Sequence, residues 1–251
     1  MTKPAEDTSF ATLNLAPAQL ENLRALGYEQ MTAVQALSLP VILRGRDVIA
    51  RARTGSGKTA AFGLGLLERL NPRFFGVQAL IICPTRELAD QVSREVRRLA
   101  QGIANIKLVS VCGGKAFGPQ KHSLQHGAHI VVGTPGRLLD HLKRGTLALD
   151  GLKVLVLDEA DRMLDMGFSD AVEEIASHAP RKRQTLLFSS TYPDAIERIS
   201  RSVQYNPEMI EFEVTNSPGT IEQLFYEVQK HERNNTLISL FKHFKTASEL
   251  V

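Results

Sequence analysis

The 251-residue sequence has no tryptophan, two cysteines and few aromatic side chains, 6% in all. Two cysteines cannot build a disulfide framework, and neither Cys83 nor Cys112 has a second cysteine or a histidine at metal-ligand spacing. Both lie in apolar, strand-like runs, so we expect small buried hydrophobic residues in a reducing compartment. His122 and His126 are four residues apart, but no acidic residue completes a zinc pattern, which favours solvated or structural histidines.

Long apolar runs are also missing. No run approaches the roughly 20 residues that cross a membrane, and residues 1–7 lack the apolar core of a signal peptide. With 43% hydrophobic and 23% charged residues, the composition is that of a globular protein and not of a disordered or membrane protein. We therefore expect a cytoplasmic protein without a membrane partner. A net charge of +3 permits a polyanionic partner without demanding one.

The most informative stretch is a glycine-punctuated turn between the apolar run 48–50 and a helical pattern that extends to Leu70. It comprises Ala52, Arg53, Thr54, Gly55, Ser56, Gly57, Lys58 and Thr59. Its glycines let backbone N–H groups converge on a phosphate at a helix N-terminus. We expect a partly exposed Lys58 to reach the β- and γ-phosphates of ATP, and the Thr59 hydroxyl to bind Mg²⁺. The usual pattern begins with glycine, where this chain has Ala52. The alternative, a glycine-rich turn without a ligand, leaves the flanking strand and helix unexplained.

Two carboxylates follow the apolar run Val154–Leu157, which is typical of a buried strand. Asp158 is expected to hold Mg²⁺ from the side opposite the hydroxyl of the turn, and Glu159 to orient and deprotonate the water that attacks the γ-phosphorus. Together with Lys58 they are the predicted catalytic residues. The alternative is that these acidic residues cap the next helix, which suits Asp161 but gives no reason for a phosphate turn upstream.

Apolar runs alternate with helical segments along the chain. The predicted strands beyond the turn are 79–83, 108–112, 130–132, 154–157 and 185–188. The segment 86–100 has one apolar face and is predicted to be a helix. Two shorter helices are expected between Phe10 and Val41, and the second carries Gln35, whose amide suits an adenine edge. This alternation predicts an α/β fold of the P-loop type, a mostly parallel sheet with helices on both faces and ligands beyond the carboxyl ends of its strands.

Hydroxyls, glycines and arginines follow four of the predicted strands. They are Pro84, Thr85 and Arg86; Gly113 and Gly114; Thr134, Pro135, Gly136 and Arg137; and Ser189, Ser190 and Thr191. Helix N-termini, backbone N–H groups and arginines at strand ends suit phosphates better than bases, so we predict binding of a sugar–phosphate backbone by the first three groups. Each group taken alone is an ordinary turn or helix cap. Their joint occurrence favours the functional interpretation.

Together these motifs resemble the first RecA-like domain of the DEAD-box ATP-dependent RNA helicases. The resemblance covers about residues 10–213 and is greatest to the DbpA branch, because of the stretches 27–32 and 112–118. It implies a RecA-like fold, ATP and Mg²⁺ as ligands, and RNA held by its backbone. It further implies an ATP-dependent helicase that remodels ribosomal RNA during large-subunit assembly.

The resemblance also assigns roles to individual residues. It implies that Tyr28 stacks on adenine beside Gln35, and that Phe10 supports this segment. Asp161, with Ser189 and Thr191, is implied to couple ATP hydrolysis to strand separation.

Two residues depart from the family pattern. Met31 stands where most members have proline, and we expect it to loosen the turn before Gln35. Ser190 replaces the alanine between Ser189 and Thr191. A buried hydroxyl there without a partner would cost about 1–3 kcal/mol.

The expected domains are an adapter with the adenine-recognition segment (1–35), the RecA-like ATP-binding domain (36–213), and a linker with the incomplete start of a second RecA-like domain (214–251). A linker signal lies at 216–219 and a helical segment at 234–244. We expect the rest of the second domain to be a partner that this chain lacks. Two alternatives remain open, a non-catalytic module that binds nucleotide or RNA, and a P-loop ATPase that acts on DNA or protein.

Overall fold

The computed structural model describes residues 8–212 and 224–244. They belong to two compact units that divide after Glu213. In chain order, the helices and strands of the first unit are α1 (Pro17–Ala25), α2 (Ala33–Leu43), β1 (Val48–Arg51), α3 (Lys58–Leu67), β2 (Ala79–Ile82), α4 (Arg86–Leu99), β3 (Leu108–Val111), α5 (Phe117–Gln125), β4 (Ile130–Gly133), α6 (Pro135–Lys143), β5 (Val154–Leu157), α7 (Ala160–Asp165), α8 (Ser169–Ser177), β6 (Gln184–Ser189), α9 (Asp194–Val203) and β7 (Glu208–Glu211). Short 3₁₀ turns lie at Phe10–Thr12 and Ala100–Gly102.

The seven described strands form one sheet in the order β3-β4-β2-β5-β6-β1-β7, and every pair is parallel. The central strands are buried along their whole length, which explains their continuous apolar runs. This order divides the strand-end loops into two neighbouring groups. The loops after β3, β4 and β2 lie side by side, and so do those after β5, β6 and β1. The predicted parallel α/β architecture is confirmed.

Helices cover both faces of the sheet, as predicted. Successive strand residues point to opposite faces. Ala50 and Ile81 therefore pack with α2, α3 and α4 on one face, whereas Ile49 and Leu80 pack with α6, α8 and α9 on the other. The α3 and β1 elements thus hold the phosphate turn between two well-packed layers.

Helix α3 is apolar on all sides, and two glycines let it approach its neighbours. A Cβ atom at Gly65 would lie 2.1 Å from Ile42 Cγ2 of α2, and one at Gly63 would lie 2.8 Å from Leu99 Cδ1 of α4. No larger residue fits either position without displacing the neighbour. Close packing on both sides fixes the helix whose N-terminus follows the phosphate turn.

Several element boundaries differ from the prediction. Helix α3 ends at Leu67 and does not reach Leu70, because the hydrogen bonds of Arg69 N and Leu70 N reach back three residues and not four. Strand β7 was not predicted, since its alternating sequence at the edge of the sheet leaves only Ile210 buried. Both cysteines are free and buried, as predicted, and burial raises the pKa of each thiol.

In the second unit, the predicted helix is confirmed as α10 (Arg233–Phe244), and it buries none of its side chains. The linker signal at 216–219 and the last residues, 245–251, lie outside the described residues. No helix in the described part of the chain is long and apolar enough to cross a membrane.

Candidate active site

The glycine turn lies between β1 and α3, where the sequence predicted it. Gly55 and Gly57 have φ angles of 80° and 93°, in the left-handed region that glycine adopts without strain. The Thr32 hydroxyl donates a hydrogen bond to the Ser56 carbonyl (2.8 Å), which ties the turn to the start of α2. Because α3 begins at Lys58, its unpaired N–H groups and the positive end of its dipole lie at the turn. This is the local geometry of an anion site.

Lys58 is buried, which corrects the prediction of a partly exposed side chain. Only 6% of its surface is accessible, and its Nζ has no hydrogen-bond partner among the described residues. The side chain lines the same cavity as Asp158 and Glu159. An ammonium group buried without a partner is unfavourable unless an anion binds to it. The position of this group therefore favours a phosphate ligand.

Asp158 and Glu159 lie at the carboxyl end of β5. Burial raises the pKa of Asp158 to about 6, although the positive charge of Lys58 opposes the rise. Glu159 has a φ angle of 51°, an unusual left-handed conformation for a residue with a side chain. Its carboxylate accepts a hydrogen bond from the Thr54 hydroxyl (3.3 Å) and pairs with Arg162 (2.8 Å). Glu159 therefore contacts the phosphate turn directly.

A cavity of about 240 Å³ connects the predicted parts of the site. Its lining residues come from the adenine segment, the phosphate turn, α4 and the end of β5, and include Tyr28, Gln35, Lys58, Thr59, Glu95, Asp158 and Glu159. A larger cavity, about 860 Å³, opens at the amino ends of the strands, beside Asp47 and Tyr205. It contains none of the predicted site residues, so the smaller cavity is the candidate active site.

Tyr28 is held in this cavity by contacts on two sides. The ring of the buried Phe10 meets it edge to face, with centroids 6.1 Å apart. The Tyr28 hydroxyl donates a short hydrogen bond to Glu95 of α4, and Glu95 also pairs with Arg98. Burial, aided by the Glu95 carboxylate, raises the pKa of Tyr28. Phe10 and Glu95 therefore fix the ring that was predicted to stack on adenine.

Gln35 connects α2 to the phosphate turn. Its Oε1 accepts a hydrogen bond from Thr32 N (2.9 Å), and its Nε2 donates one to the Gly57 carbonyl (3.1 Å). The amide retains one N–H group and one lone pair. Met31 does not loosen this turn, contrary to expectation. Its side chain is buried, its N–H donates to Thr8 O (2.7 Å), and the capping box of Thr32 and Gln35 is complete.

The residues predicted to contact RNA lie at the carboxyl ends of β2, β4 and β3, three neighbouring strands. Thr85 caps α4 by accepting a hydrogen bond from Leu88 N (3.2 Å), and Thr134 Oγ1 accepts one from Gly113 N (3.3 Å). The second contact joins the loops after β3 and β4. We call the surface formed by the three neighbouring loops the strand-end surface, and it also contains Arg86, Gly114, Gly136 and Arg137. Pro84 and Pro135 are buried, so they shape the turns and do not face a ligand.

The two arginines of the strand-end surface differ in exposure. The Arg86 side chain is 47% exposed, pairs with Glu87 and lies against Gly114. The Arg137 side chain is only 17% exposed, and it donates a hydrogen bond to the Lys115 carbonyl (2.8 Å). Arg86 is therefore placed to meet a ligand, whereas Arg137 fixes the loop that follows β3.

Asp161 connects α7 to the loop after β6. Its Oδ2 accepts hydrogen bonds from the N–H and hydroxyl groups of both Ser190 (3.1 and 2.5 Å) and Thr191 (3.0 and 3.1 Å). Burial would raise the pKa of Asp161, but these bonds outweigh it and hold the pKa below its usual value. Ser190 is exposed and paired, so the expected penalty for a buried, unpaired hydroxyl was wrong. The carbonyl of the buried Ser189 accepts a hydrogen bond from Ala52 N (2.9 Å), which links the end of β6 to the phosphate turn.

Comparison with known proteins identifies the family. Residues 32–199 match the model of the DEAD/DEAH box helicase family. The chain belongs to this family. It is 60% identical over 221 residues to the ATP-dependent RNA helicase DbpA of Escherichia coli K12, a match that covers 88% of this chain and 48% of DbpA. It is 46% identical over 234 residues to the ATP-dependent RNA helicase DeaD of the same strain, which covers 92% of this chain and 37% of DeaD.

The solved structures agree with this family and with the predicted RecA-like fold. The crystal structure of a DEAD box protein from Methanococcus jannaschii matches with a TM-score of 0.79 and 42% identity, covering 93% of this chain and 63% of that one. The resemblance to DEAD-box helicases is confirmed. The chain spans about half or less of the length of its curated helicase relatives.

Two contacts of the DEAD-box site were not predicted. The Arg162–Glu159 ion pair depends on the left-handed conformation of Glu159, which the sequence does not reveal. The Glu95–Tyr28 hydrogen bond joins residues 67 positions apart. The one signal that could have suggested it is that the hydroxyl of a buried tyrosine usually finds a hydrogen-bond partner.

Proposed function

We propose that this chain is the N-terminal RecA-like part of an ATP-dependent RNA helicase. The observation that carries the proposal is the buried Lys58 ammonium at the N-terminus of α3, which has no hydrogen-bond partner in the described part of the chain and shares a cavity with Asp158. A phosphate at this position satisfies the lysine and the helix dipole at once. The names of the relatives, ATP-dependent RNA helicases, support the same function.

In the proposed reaction, a water molecule attacks the γ-phosphorus of ATP and the bond to the bridging oxygen of ADP breaks. Glu159 accepts the water's proton, and Lys58 holds the phosphate oxygens as negative charge redistributes. Ala52, Arg53, Thr54, Gly55, Ser56 and Gly57 complete the phosphate turn. Thr59 and the buried Asp158 carboxylate are the oxygen ligands expected to hold Mg²⁺. When bound, Mg²⁺ would neutralise phosphate charge.

The adenine is assigned to the end of the cavity beside Tyr28 and Gln35. The Tyr28 ring supplies a face for stacking, and Phe10 supports that ring from behind. The remaining N–H group and lone pair of the Gln35 amide match the donor and acceptor of an adenine edge. The cavity volume of about 240 Å³ is smaller than the roughly 300–1,000 Å³ of complete ligand sites. We therefore propose that a second RecA-like domain completes the site.

RNA is assigned to the strand-end surface. Thr85, Arg86, Gly113, Gly114, Thr134 and Gly136 provide hydroxyl, N–H and guanidinium donors for phosphates. Arg137, with Pro84 and Pro135, positions these loops. Contacts of this kind hold the backbone without reading base sequence. The choice of RNA is therefore assigned to parts outside this chain, and we propose ribosomal RNA as the target.

Coupling between the ATP and RNA sites is assigned to Asp161, Ser189 and Thr191. Asp161 lies in α7, Ser189 ends β6 and Thr191 lies in the loop that follows. Strand β6 lies between the strands that carry the two halves of the nucleotide site. We also propose the domain limits 1–35, 36–213 and 214–251. A cytoplasmic location is proposed because the two free cysteines suit a reducing compartment.

ATP hydrolysis tests this function. The rate is measured for the chain alone and for the chain joined to a second RecA-like domain of the family, each with RNA, with DNA and without nucleic acid. We expect slow hydrolysis by the chain alone and RNA-stimulated hydrolysis by the joined protein, since arginines supplied across an interface are worth about 10³–10⁵ in rate. Equal stimulation by DNA would indicate another P-loop ATPase. No hydrolysis by the joined protein would indicate a non-catalytic binding module.

RNA binding is tested with Arg86→Ala, and the exposed Arg198→Ala on α9 is the control of equal charge. We expect Arg86→Ala to weaken binding similarly for all base sequences and to reduce the salt slope by about 0.7 for a single strand. A loss confined to one base sequence, or an equal loss in Arg198→Ala, would remove Arg86 from the RNA site.

A further inference from the structure

A groove of about 400 Å³ runs along the outer edge of β3, between α4 and α5. We call it the edge groove, and its polar lining residues include Arg97, Lys107, Ser110, Lys115, Gln120 and Ser123. Of the described residues, three cations and no carboxylate line it. None of these residues has a part in the nucleotide site.

Two of the cations in the edge groove keep their charge unbalanced. Lys107 Nζ donates to the carbonyls of Ser123 (3.4 Å) and His126 (3.1 Å), and Arg97 donates to the Leu108 carbonyl (3.5 Å). Neither cation forms an ion pair with a carboxylate in the described part of the chain. Carbonyls orient these groups but leave a full positive charge on each, so the groove attracts an anion.

Lys115 connects the edge groove to the strand-end surface. It follows Gly113 and Gly114 directly, and its Nζ pairs with Asp90 of α4 (3.1 Å). Further along the groove, Ser93 and Ser110 share a hydrogen bond (2.9 Å). Polar groups therefore occur along the groove from the loop after β3 to the start of that strand, next to the apolar Leu108 and Val109.

The strand order gives the edge groove its relation to RNA. The loops of the strand-end surface follow β2, β4 and β3, and β3 is the outermost strand. A single strand that crosses these loops in order leaves the sheet at Gly113–Gly114, where the groove begins. Four residues of β3 span about 13 Å, a length that accommodates a few phosphates.

We propose that the edge groove binds the phosphate backbone of the same RNA strand beyond the nucleotides held by the strand-end surface. This inference rests on the proposed RNA site. Arg97 and Lys107 would hold phosphates, and the serine hydroxyls would donate to backbone oxygens. The groove would lengthen the bound segment without adding base specificity.

The experiment compares two RNAs: the shortest oligouridylate that the parent chain binds, and the same strand extended at either end. Fluorescence anisotropy is measured over a range of salt for the parent, Arg97→Gln and Lys107→Gln. Each variant should bind the short RNA like the parent. For the RNA extended at the end that enters the groove, each should bind more weakly, with a salt slope smaller by about 0.7.

Two further variants control for charge and folding. Lys121→Gln removes an exposed charge of α5 outside the groove and should match the parent with both RNAs. Lys107→Arg retains the cation and should keep the full salt slope. The proposal is overturned if the groove variants bind the extended RNA like the parent, if they lose the short RNA equally, or if Lys121→Gln has the same effect. Failure of the parent to bind any oligouridylate would instead refute the proposed RNA site.

Discussion

The Arg162 guanidinium lies 2.8 Å from the Glu159 carboxylate, although the Arg162 side chain is 58% exposed and that of Glu159 only 12%. The other carboxylate oxygen accepts a hydrogen bond from Thr54. Both oxygens of the proposed base are thus engaged by side chains. An ion pair with one exposed partner contributes at most about 1 kcal/mol. Release of Glu159 from Arg162 is therefore energetically easy.

Glu159→Gln separates proton transfer from binding. The amide cannot accept the water's proton, so we expect turnover of the joined two-domain protein to fall about 10²–10⁴-fold while ATP still stabilises the chain. Arg162→Gln is the matched control, because it removes the same ion pair but keeps the carboxylate. Steady-state hydrolysis should remain within a few-fold of the parent in the control. Equal losses in both variants would show that the ion pair matters and that Glu159 is not the base.

Asp161→Ala tests coupling. It leaves the four donors of Ser190 and Thr191 without their shared acceptor, so we expect less RNA duplex separated per ATP hydrolysed by the joined protein. Ser190→Ala is the milder change, because the backbone N–H of residue 190 and both Thr191 donors still form hydrogen bonds with Asp161. This variant should lower the free energy of unfolding by less than about 1.5 kcal/mol. The amount of RNA duplex separated per ATP hydrolysed should not change. An unchanged ratio in Asp161→Ala would refute the coupling role.

His141 predicts a pH dependence of stability. The ring is buried and stacks on Phe117, with centroids 4.0 Å apart. Burial lowers the pKa of His141; Arg137 and Arg144 lower it further, and Asp140 opposes them. Below the unfolded pKa of about 6.5, the unfolded chain binds more protons than the folded chain. The stabilising contribution is therefore complete above that pH and is lost as the pH falls towards the folded pKa.

The measurement is the free energy of unfolding in urea between pH 7.5 and pH 5.5. The parent should lose more stability than His141→Gln over this range, by at most about 1.4 kcal/mol per pH unit. The exposed His122→Gln should follow the parent. Parallel curves for the parent and His141→Gln would show that the pH dependence does not come from His141.

Gly65→Ala tests the packing of α3. The added Cβ would lie 2.1 Å from Ile42 Cγ2, so we expect a loss of about 1–3 kcal/mol in the free energy of unfolding. Gly118→Ala is the control, because nothing lies within 4 Å of a Cβ at that helical position. There alanine should stabilise by up to about 1 kcal/mol. A stable Gly65→Ala variant would mean that α3 is less closely packed than the structure indicates.

Most of the fold follows from the sequence, because buried parallel strands require continuous apolar runs. Strand β7 has no such run. It lies at the edge of the sheet, begins with Glu208 and ends with Glu211, and only Ile210 within it is buried. The prediction that Lys58 is partly exposed was wrong for a related reason. A helix that is apolar on all sides gives no period from which the exposed face can be deduced.

The site was predictable in its parts but not in its contacts. The order of the motifs identified the phosphate turn and the carboxylates. The pairing of Glu159 with Arg162 depends on a backbone conformation that no residue type signals. The paired hydroxyl of Ser190 depends on the position of Asp161, 29 residues away. Such contacts follow only from the assembled sheet.

The most direct test of the nucleotide site is the melting temperature of the chain with and without Mg·ATP, for the parent and for Lys58→Ala. Binding at 100 times the Kd would stabilise the parent by about 2.7 kcal/mol. Lys58→Ala removes the ammonium group that would hold the phosphate, so Mg·ATP should not raise the melting temperature of the variant. If Mg·ATP stabilises Lys58→Ala as much as the parent, the phosphate does not bind at this turn.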